Sequence, residues 1–485
     1  MKILFASSEV VPFSKTGGLA DVAGSLPAAV AARGHEVTII TPRYGSVDVA
    51  AFDLRRRRSR LAVNIKGKSI QGGLLEGNTP NGVPVLFVDQ PGYFDREGLY
   101  GSGGQDFPDN DERFAFFSRA VLETCRQAGL EPDVIHCNDW QTGPIPALLQ
   151  FEYRERPELN GTGTVFTVHN IGYQGLFAPD AVMTLGLGWN LFTPSGLEFF
   201  GKVSYLKTGL RFADKLTTVS RTHAKEIQTP AFGHGLEGML KDRAGDLIGI
   251  LNGVDYRTWD PQNDPHIARK YSPGDPSGKA ECKTDLQRRL NLPPDPAVML
   301  VGSICRLVSQ KGVDLFLQSA PDLLKLPCQW VFLGEGDASI AEALRQLALT
   351  HPEQVAVHIG HEEELAHRIQ AGADVLLMPS RYEPCGLNQM YALRYGTIPL
   401  VRAVGGLDDS IDDVAEEGGN GFKFEAATPQ ALQATLQRAL ELFSNRAAWS
   451  DLVEFAMSQD FSWEYPARRY EAVYREIAAL RKTPI

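Results

Sequence analysis

The chain has 485 residues, of which 43% are hydrophobic and 22% are charged. This length predicts two or three domains, and the apolar content excludes a mainly disordered chain. With 48 basic and 59 acidic side chains the net charge is -11, which disfavours nucleic acids and anionic membranes as partners.

The six cysteines indicate a reducing compartment. They are scattered along the chain without a C-x-x-C pair, so no zinc framework is expected and the thiols are expected to be reduced. The N-terminal sequence MKILFASSEVVPF reaches a glutamate before an apolar run of signal-peptide length develops, and no later run approaches a membrane span. We therefore expect a cytoplasmic protein.

In the first half of the chain, short apolar strands alternate with amphipathic helices. This pattern predicts parallel sheets that are covered by helices on both faces. The predicted elements are, in chain order, a strand at Lys2–Ala6, a helix at Leu19–Arg33 and strands at Glu36–Thr41, Val134–Cys137, Val165–Val168 and Leu216–Val219. The arginine run of Arg55–Arg58 with Arg60 is interpreted as a solvated connection between two further strands.

A second series of strands and helices begins after residue 296 and predicts a separate Rossmann-like array. Its strands are Val298–Ile304, Trp330–Gly334, Val355–Ile359, Val375–Pro379 and Ile398–Val401, and its helices are Val313–Leu324, Ser339–Ala348, Glu363–Ala371 and Leu387–Tyr395. The final stretch, Trp463–Lys482, predicts an amphipathic helix.

Between the two series, Asn252–Gly278 is rich in Pro, Asp, Asn and Gly, which indicates a linker or hinge. We therefore expect one α/β domain at 1–250 and another at 251–462, each with a doubly wound parallel sheet. Ligands of such sheets bind beyond the carboxyl ends of the strands, so the expected site is a cleft between the two domains.

The first candidate site is SKTGGLAD at 14–21, between the first strand and the first helix. Gly17 and Gly18 allow a close backbone approach, and a helix N-terminus offers N–H groups to an anion. Lys15 adds a positive charge. A phosphate site and an ordinary tight turn are equally compatible with this pattern, which is not a P-loop.

Two loops of the second series carry further candidates. Arg306 and Lys311, in CRLVSQKG, follow a strand and can clamp a diphosphate, although a solvated loop is the alternative. Glu383, in RYEPCGLNQ, lies between a strand and a helix, where a carboxylate suits sugar hydroxyls or a cationic transition state better than phosphate. Cys385 is interpreted as a small buried filler rather than a nucleophile.

Polar residues also follow two strands of the first series. A histidine such as His169 is usually structural after a strand, but with Asn170 it lies at the ligand-binding edge. His136, Asn138 and Asp139 are interpreted as either structural or directed toward an acceptor.

Three glycine or aspartate patterns have simpler interpretations. The glycines of Gly405–Leu407 either offer backbone amides to a ligand or form a turn. The DND sequence at 109–111 resembles a metal-binding D-x-D, but helix N-capping explains it. GEGD at 334–337 lacks the third glycine of a dinucleotide motif and is interpreted as turn chemistry.

Taken in order, KTGGLADV, WQTGPIPALL, TVHNIGYQG, CRLVSQKG, RYEPCGLNQ and VGGL resemble bacterial glycogen synthase and plant starch synthase over essentially the whole chain. The resemblance implies the GT-B fold, two Rossmann-like domains facing a central cleft, with a C-terminal helix at 463–485 joining the first domain. It implies glucosyl transfer from ADP-glucose to the non-reducing end of an α-1,4-glucan with retention of configuration. It also implies that neither a cofactor nor a metal is needed.

Matching positions carry the roles of that family to this chain. The implied catalytic residues are Lys15, His169, Arg306, Lys311 and Glu383. The implied donor-binding residues are Lys15, Gly17, Gly18, Asp21, Asn170, Asn252, Arg306, Lys311, His361, Glu383, Cys385, Gly386, Leu387 and Asn388.

Four positions depart from the family pattern. Asn388 and Val404 stand where Thr is usual, and Cys305 replaces a common Ser. His361 takes a place often held by Tyr against the nucleobase, so selectivity for the base is the least defined property.

Retention without an evident protein nucleophile suggests front-face displacement. In that mechanism Arg306 and Lys311 neutralise charge on the leaving diphosphate, and Glu383 favours the glucosyl cation. Three alternatives stay open: another donor such as a UDP-sugar, a phosphorylase with lysine-bound pyridoxal phosphate, and an inactive glycan-binding protein of the same fold.

Overall fold

The computed structural model describes residues 1–482 and divides the chain into two compact units. The first unit comprises Met1–Gly253 and the C-terminal segment that begins at Trp463, and the second comprises Val254–Ser462. Residues 483–485, which the predicted 463–485 helix includes, lie outside the described residues.

The first unit is an α/β layer structure. Its strands are β1 (Lys2–Ala6), β2 (Glu36–Pro42), β3 (Arg55–Ile65), β4 (Lys68–Asn78), β5 (Pro84–Asp89), β6 (Gly101–Ser102), β7 (Gln105–Asp106), β8 (Val134–Asn138), β9 (Gly163–Val168), β10 (Leu176–Phe177), β11 (Glu198–Phe199), β12 (Lys202–Ser204), β13 (Lys215–Thr218) and β14 (Leu247–Gly249). Its first eight helices are α1 (Gly18–Ala31), α2 (Pro91–Phe94), α3 (Asn110–Ala128), α4 (Pro144–Leu148), α5 (Ala181–Leu185), α6 (Tyr205–Phe212), α7 (Arg221–Glu226) and α8 (Glu237–Asp242).

Nine of these strands form one sheet in the order β14-β13-β9-β8-β1-β2-β5-β4-β3. β1 lies inside the sheet, parallel to β2 and β8, and its apolar residues after Lys2 are buried because helices cover both faces. The sheet is parallel from β14 to β5, as the sequence predicts, but β5, β4 and β3 are antiparallel. The carboxyl ends of β1, β8 and β9 therefore lie at one edge.

The arginine run corrects a prediction. Residues 55–60 are not a connection but the first half of β3, the edge strand of the sheet. The alternation that follows explains the strand, because Leu61, Val63 and Ile65 are buried while the residues between them are exposed. A register shift separates Arg56 from Arg60, and Arg56 pairs with Asp89 at 2.6 Å.

The DND sequence is also explained differently. Helix α3 begins at Asn110, but the Asp109 side chain makes no capping hydrogen bond. Its two carboxylate oxygens instead accept hydrogen bonds from the Arg96 guanidinium at 2.7 and 2.6 Å. The capping explanation was therefore wrong for Asp109, because a bidentate arginine outcompetes a local amide.

The second unit contains a six-stranded, wholly parallel sheet in the order β17-β16-β15-β18-β19-β20. Its strands are β15 (Met299–Ile304), β16 (Cys328–Gly334), β17 (Val355–Ile359), β18 (Val375–Met378), β19 (Ile398–Arg402) and β20 (Phe422–Phe424). Its helices are α9 (Gly278–Arg289), α10 (Val313–Leu323), α11 (Ala338–Thr350), α12 (Glu363–Gly372), α13 (Asn388–Arg394), α14 (Gly405–Ser410), α15 (Pro429–Ser444) and α16 (Arg446–Ser458). The strands and helices predicted for this half are present, with small shifts at their ends.

Most of the segment predicted as a linker is packed into the second unit. The Trp259 ring stacks between His367 and Tyr391, at centroid distances of 3.9 and 4.2 Å. Asp264 is buried and accepts hydrogen bonds from His367 at 2.7 Å and Tyr395 at 2.5 Å. The polar residues of this segment therefore do not mark a flexible connection, because one of them, Asp264, is a buried carboxylate whose hydrogen bonds are satisfied.

The last helix, α17 (Glu464–Lys482), belongs to the first unit. The Tyr474 hydroxyl is 2.8 Å from His136 Nδ1, and Thr167 Oγ1 is 2.6 Å from His136 Nε2. His136 is therefore structural, since both ring nitrogens are engaged in the core. The ion pair of Arg33 with Glu471 at 2.5 Å adds a second attachment of this helix.

Candidate active site

The loop after β1 is organised by a carboxylate that the sequence analysis did not single out. Glu9 is buried and accepts hydrogen bonds from the Thr16 amide at 2.6 Å and the Gly17 amide at 3.1 Å. It also accepts from the Tyr100 hydroxyl at 2.7 Å. The Gly17 amide is thus occupied by Glu9, and the carboxylate holds the loop as an anion would.

Lys15 lies on the outer side of this loop. Its ammonium group pairs with Asp21 at 2.7 Å, and the two side chains are 51% and 27% exposed. Helix α1 begins at Gly18, and Gly17 has open space where a side chain would lie. The predicted residues Lys15, Gly17, Gly18 and Asp21 are therefore neighbours at the ligand-binding edge of the sheet.

The ends of β8 and β9 bring three polar side chains together. The amide nitrogen of Asn138 donates to the Ala6 carbonyl at 3.0 Å, which turns its amide oxygen toward His169 Nε2, 2.9 Å away. Since an amide oxygen can only accept, His169 carries its proton on Nε2 when neutral. The Nδ1 atom is then left as an acceptor that suits a sugar hydroxyl.

Asp139 fixes the backbone of the same loop. Its carboxylate accepts a hydrogen bond from the His169 amide at 2.7 Å, and its own φ of 55° and ψ of -178° form a strained conformation that residues with a side chain rarely adopt. Burial raises the pKa of Asp139 to about 7, against two backbone hydrogen bonds that lower it. Burial also lowers the pKa of His169 to about 3, so the imidazole is neutral at physiological pH.

In the second unit, the loops that follow β15 and β18 are joined to each other. The Arg381 amide donates to the Gln310 carbonyl at 2.8 Å, and the Gln310 side chain donates to the Tyr382 carbonyl at 3.0 Å. Arg381 also makes a bidentate pair with Asp314, with both contacts at 2.6 Å. Through these contacts the loop with Arg306 and Lys311 and the loop with Glu383 form one structure.

The centre of this structure is the ion pair of Lys311 and Glu383. Lys311 Nζ is 2.6 Å from Glu383 Oε2, and the side chains are only 17% and 7% exposed. The Ser380 hydroxyl donates to the same oxygen at 3.0 Å. Arg306, which precedes the pair in the β15 loop, is exposed. A fixed cation and a fixed carboxylate thus adjoin at the carboxyl ends of two adjacent strands.

Gly405 and Gly406 lie against the backbone of the loop that carries Glu383. A Cβ on Gly405 would lie 2.0 Å from the Glu383 carbonyl oxygen, and one on Gly406 would lie 2.1 Å from that of Cys385. The Gly406 amide donates to the Glu383 and Pro384 carbonyls, both at 3.1 Å. Of the two interpretations, ligand binding is wrong for the Gly406 amide. The glycines instead begin helix α14 and let its start touch the Glu383 loop.

The other predicted residues of the second unit lie around the same edge. Gly386 has a φ of 70°, a left-handed conformation that favours glycine, and helix α13 begins at Asn388 after Cys385 and Leu387. The Asn388 side chain donates to the Ile304 carbonyl at 2.8 Å, so the amide is directed at the end of β15. His361 is exposed beyond the end of β17.

Two further predicted residues belong to the first unit. Asn170 Oδ1 accepts from the Gly172 amide at 3.0 Å in the loop after β9. Asn252 is buried near the end of the unit, and its side-chain oxygen has no hydrogen-bond partner among the described residues. Cys385 is buried, as expected for a small filler, and burial raises the pKa of the Cys305 thiol to about 11.

Two α/β units with Rossmann-like connections and polar side chains at the carboxyl ends of their sheets match the architecture of GT-B glycosyltransferases. The starch synthase catalytic domain family matches residues 2–242, and the family of glycosyl transferases group 1 matches residues 283–451. The chain belongs to the glycogen and starch synthase family, and its activity is that of a glucosyltransferase.

Individual relatives agree with this assignment over their full lengths. The chain is 51% identical to a glycogen synthase of Anaeromyxobacter dehalogenans, a match that covers 99% of each chain. It is 48% identical to a glycogen synthase of Syntrophotalea carbinolica, again over 99% of each. Among solved structures, it matches the catalytic domain of Starch Synthase IV from Arabidopsis thaliana bound to ADP and acarbose, with a TM-score of 0.91, 35% identity and 99% coverage of each chain.

Residues 1–482 lack two further features. Those residues contain no group of three or more His, Cys, Asp or Glu side chains placed to hold a metal ion. No helix in that range is both long enough and apolar enough to span a membrane.

Proposed function

We propose that this glucosyltransferase takes glucose from ADP-glucose and adds it, with retention of configuration, to the non-reducing end of an α-1,4-glucan such as glycogen. The observation that carries the proposal is the Lys311–Glu383 pair, 2.6 Å apart at the ends of β15 and β18. The choice of ADP is supported by the Arabidopsis relative, whose structure is described as bound to ADP and acarbose.

In the proposed reaction the bond from the glucosyl carbon to the diphosphate breaks, and the leaving diphosphate gains negative charge. Lys311, with Arg306 in the same loop, stabilises that charge, and Glu383 faces the cationic glucosyl centre. The acceptor hydroxyl attacks from the side that ADP leaves, and its proton passes to the leaving phosphate. The enzyme contributes fixed positions and fixed charges, so we propose that neither a cofactor nor a metal is required.

The first unit would position the sugars. His169 Nδ1 accepts a hydroxyl proton, because Asn138 holds the other nitrogen and burial keeps the ring neutral. The proposal retains the donor-binding roles of Lys15 and Asp21 that the family resemblance implies. A cytoplasmic location is proposed because Cys125, Cys137 and Cys328 are buried as thiols rather than as disulfides.

The test is to incubate the protein and glycogen with ADP-glucose or with UDP-glucose and to measure the nucleotide that is released. The proposal predicts release of ADP that depends on glycogen, and much slower release of UDP. Faster release of UDP would contradict the donor assignment. Glucose 1-phosphate production from glycogen and inorganic phosphate, with no release from either donor, would favour a phosphorylase.

A further inference from the structure

One turn of the first unit displays an aromatic ring that the turn itself disfavours. Strands β11 and β12 pair Phe199 with Lys202 and Glu198 with Val203, so Phe200 and Gly201 form the turn between them. Their φ angles are 48° and 76°. Two-residue turns with both residues left-handed favour Asn-Gly, and a bulky residue at the first position is strained.

Burial of the Phe200 side chain does not offset the strain of this turn. Its side chain is 81% exposed, the highest value among the large apolar side chains of residues 1–482. An exposed apolar group in a disfavoured conformation serves neither folding nor the core. Such combinations occur where the side chain has a task outside the fold.

A second turn in the same unit shows that the geometry does not need an aromatic residue. Strands β3 and β4 pair Ile65 with Lys68, and the turn residues Lys66 and Gly67 have φ angles of 51° and 75°. This turn has the same backbone shape with an exposed lysine at the first position. The ring of Phe200 is therefore a property of its site, not of this kind of turn.

The Phe200 ring contacts two neighbouring residues. Its centroid lies 4.7 Å from that of Phe199, with the rings at 84°. A Cβ on Gly235 would lie 3.1 Å from Phe200 Cε2, so the ring lies against the backbone at Gly235. These contacts restrict the ring before a ligand arrives, which lowers the freedom that it loses on binding.

The same surroundings connect the ring to the candidate active site within the first unit. The Gln174 side chain donates to the carbonyl of His234, the neighbour of Gly235, at 3.0 Å, and the Ser204 hydroxyl at the end of β12 donates to the Gln174 carbonyl at 3.1 Å. Gln174 lies in the loop after β9 that also carries His169 and Asn170. In that loop, Tyr173 is 52% exposed.

We propose that Phe200, together with Tyr173, binds the glucan acceptor by stacking on glucose units behind its reacting end. One face of a glucose ring is lined by C–H groups, which pack favourably on the negatively charged face of an aromatic ring. The inference rests on the proposed function, because it supplies that acceptor with a further binding residue. It makes the enzyme favour long chains over short ones.

The test compares Phe200→Asn and Phe200→Tyr with Lys66→Asn, which makes the same change of turn without removing an aromatic ring. Phe200→Asn should raise the KM for glycogen by roughly threefold to tenfold, the size expected for one aromatic contact. Its kcat and its KM for maltotriose should change little. Its melting temperature should equal or exceed that of the unmodified protein, since Asn suits the turn. Phe200→Tyr and Lys66→Asn should keep the original KM values.

An unchanged KM for glycogen in Phe200→Asn would overturn the proposal, as would an equal increase for maltotriose and glycogen. Electrophoresis in gels that contain glycogen measures binding without any donor. Retardation of the unmodified protein that Phe200→Asn weakens would support the inference even if no donor is used, whereas equal retardation of both would contradict it. Failure of transfer from every donor would count against the proposed function alone.

Discussion

Each unit has a lysine in the loop that follows its first strand, Lys15 after β1 and Lys311 after β15, but the two ammonium groups have different surroundings. Lys15 is 51% exposed and pairs with Asp21, which is 27% exposed. Lys311 is 17% exposed, and its partner Glu383 is 7% exposed. Water screens the first pair, whereas the second acts through a medium of lower dielectric constant. The loop after the first strand therefore carries an exposed, movable lysine in the first unit and a buried, fixed lysine in the second.

The largest effect is expected when the buried pair is broken. Lys311→Ala should lower turnover on the order of a hundredfold or more, because it removes a fixed charge from the leaving group. It should also lower the free energy of unfolding by roughly 3 kcal/mol, because Glu383 stays buried without its cation. Initial rates and denaturant unfolding measure the two effects.

The matched control for this change is Lys325→Ala in the same unit. Lys325 also pairs with a carboxylate, Asp322, at 2.8 Å, but both side chains are more than half exposed. The Lys325→Ala substitution should therefore leave turnover and the free energy of unfolding nearly unchanged. Near-normal turnover of Lys311→Ala and of Arg306→Ala, in folded protein, would defeat the proposed diphosphate clamp.

A smaller effect that depends on pH is expected at Asp139. Because burial raises its folded-state pKa to about 7, ionisation of Asp139 opposes folding. The stability contributed by the protonated Asp139 side chain is complete below pH 4 and is lost as the pH rises through 7. Relative to the unmodified protein, Asp139→Asn should therefore gain stability over this window, by roughly 4 kcal/mol in total. Urea unfolding at several pH values measures the difference, and a constant difference would show that the carboxyl group titrates normally.

The smallest change in stability is expected at the exposed pair. Lys15→Ala should alter the free energy of unfolding by about 1 kcal/mol or less, because water already solvates both charges. If Lys15 contacts the donor as proposed, the KM for ADP-glucose should rise or turnover should fall by roughly tenfold. An unchanged KM and an unchanged turnover would show that Lys15 does not contact the donor. The comparison with Lys311 would then concern only the exposure of the two lysines.

The sequence predicts the second unit better than the first, for a physical reason. In a wholly parallel sheet the inner strands are buried apolar runs, as in Val375–Met378, and each is followed by a recognisable helix. In the β3–β4–β5 ribbon, β3 is the edge strand of the sheet. Its first residues, Arg55–Arg58, are charged and therefore do not show the apolar pattern by which a strand is recognised. Only the buried alternation of Leu61, Val63 and Ile65 could have revealed it.

For the site, family motifs locate individual residues but not their partners. Lys311 and Glu383 are 72 positions apart, and the sequence predicts both without predicting that they form a pair. Glu9 and Tyr100 are 91 positions apart and form their contact only after folding. For that reason the sequence did not predict that Glu9 binds the Gly17 amide. A carboxylate close in sequence to a glycine pair is the signal that could have suggested it.

The most direct test of the central claim is the rate of ADP release from ADP-glucose and glycogen after the protein has been dialysed against EDTA. If fixed cations such as Lys311 stabilise the leaving diphosphate, the rate should equal that of untreated protein. Loss of the rate on chelation, with recovery on adding a divalent ion, would show that a metal does this work and would contradict the account.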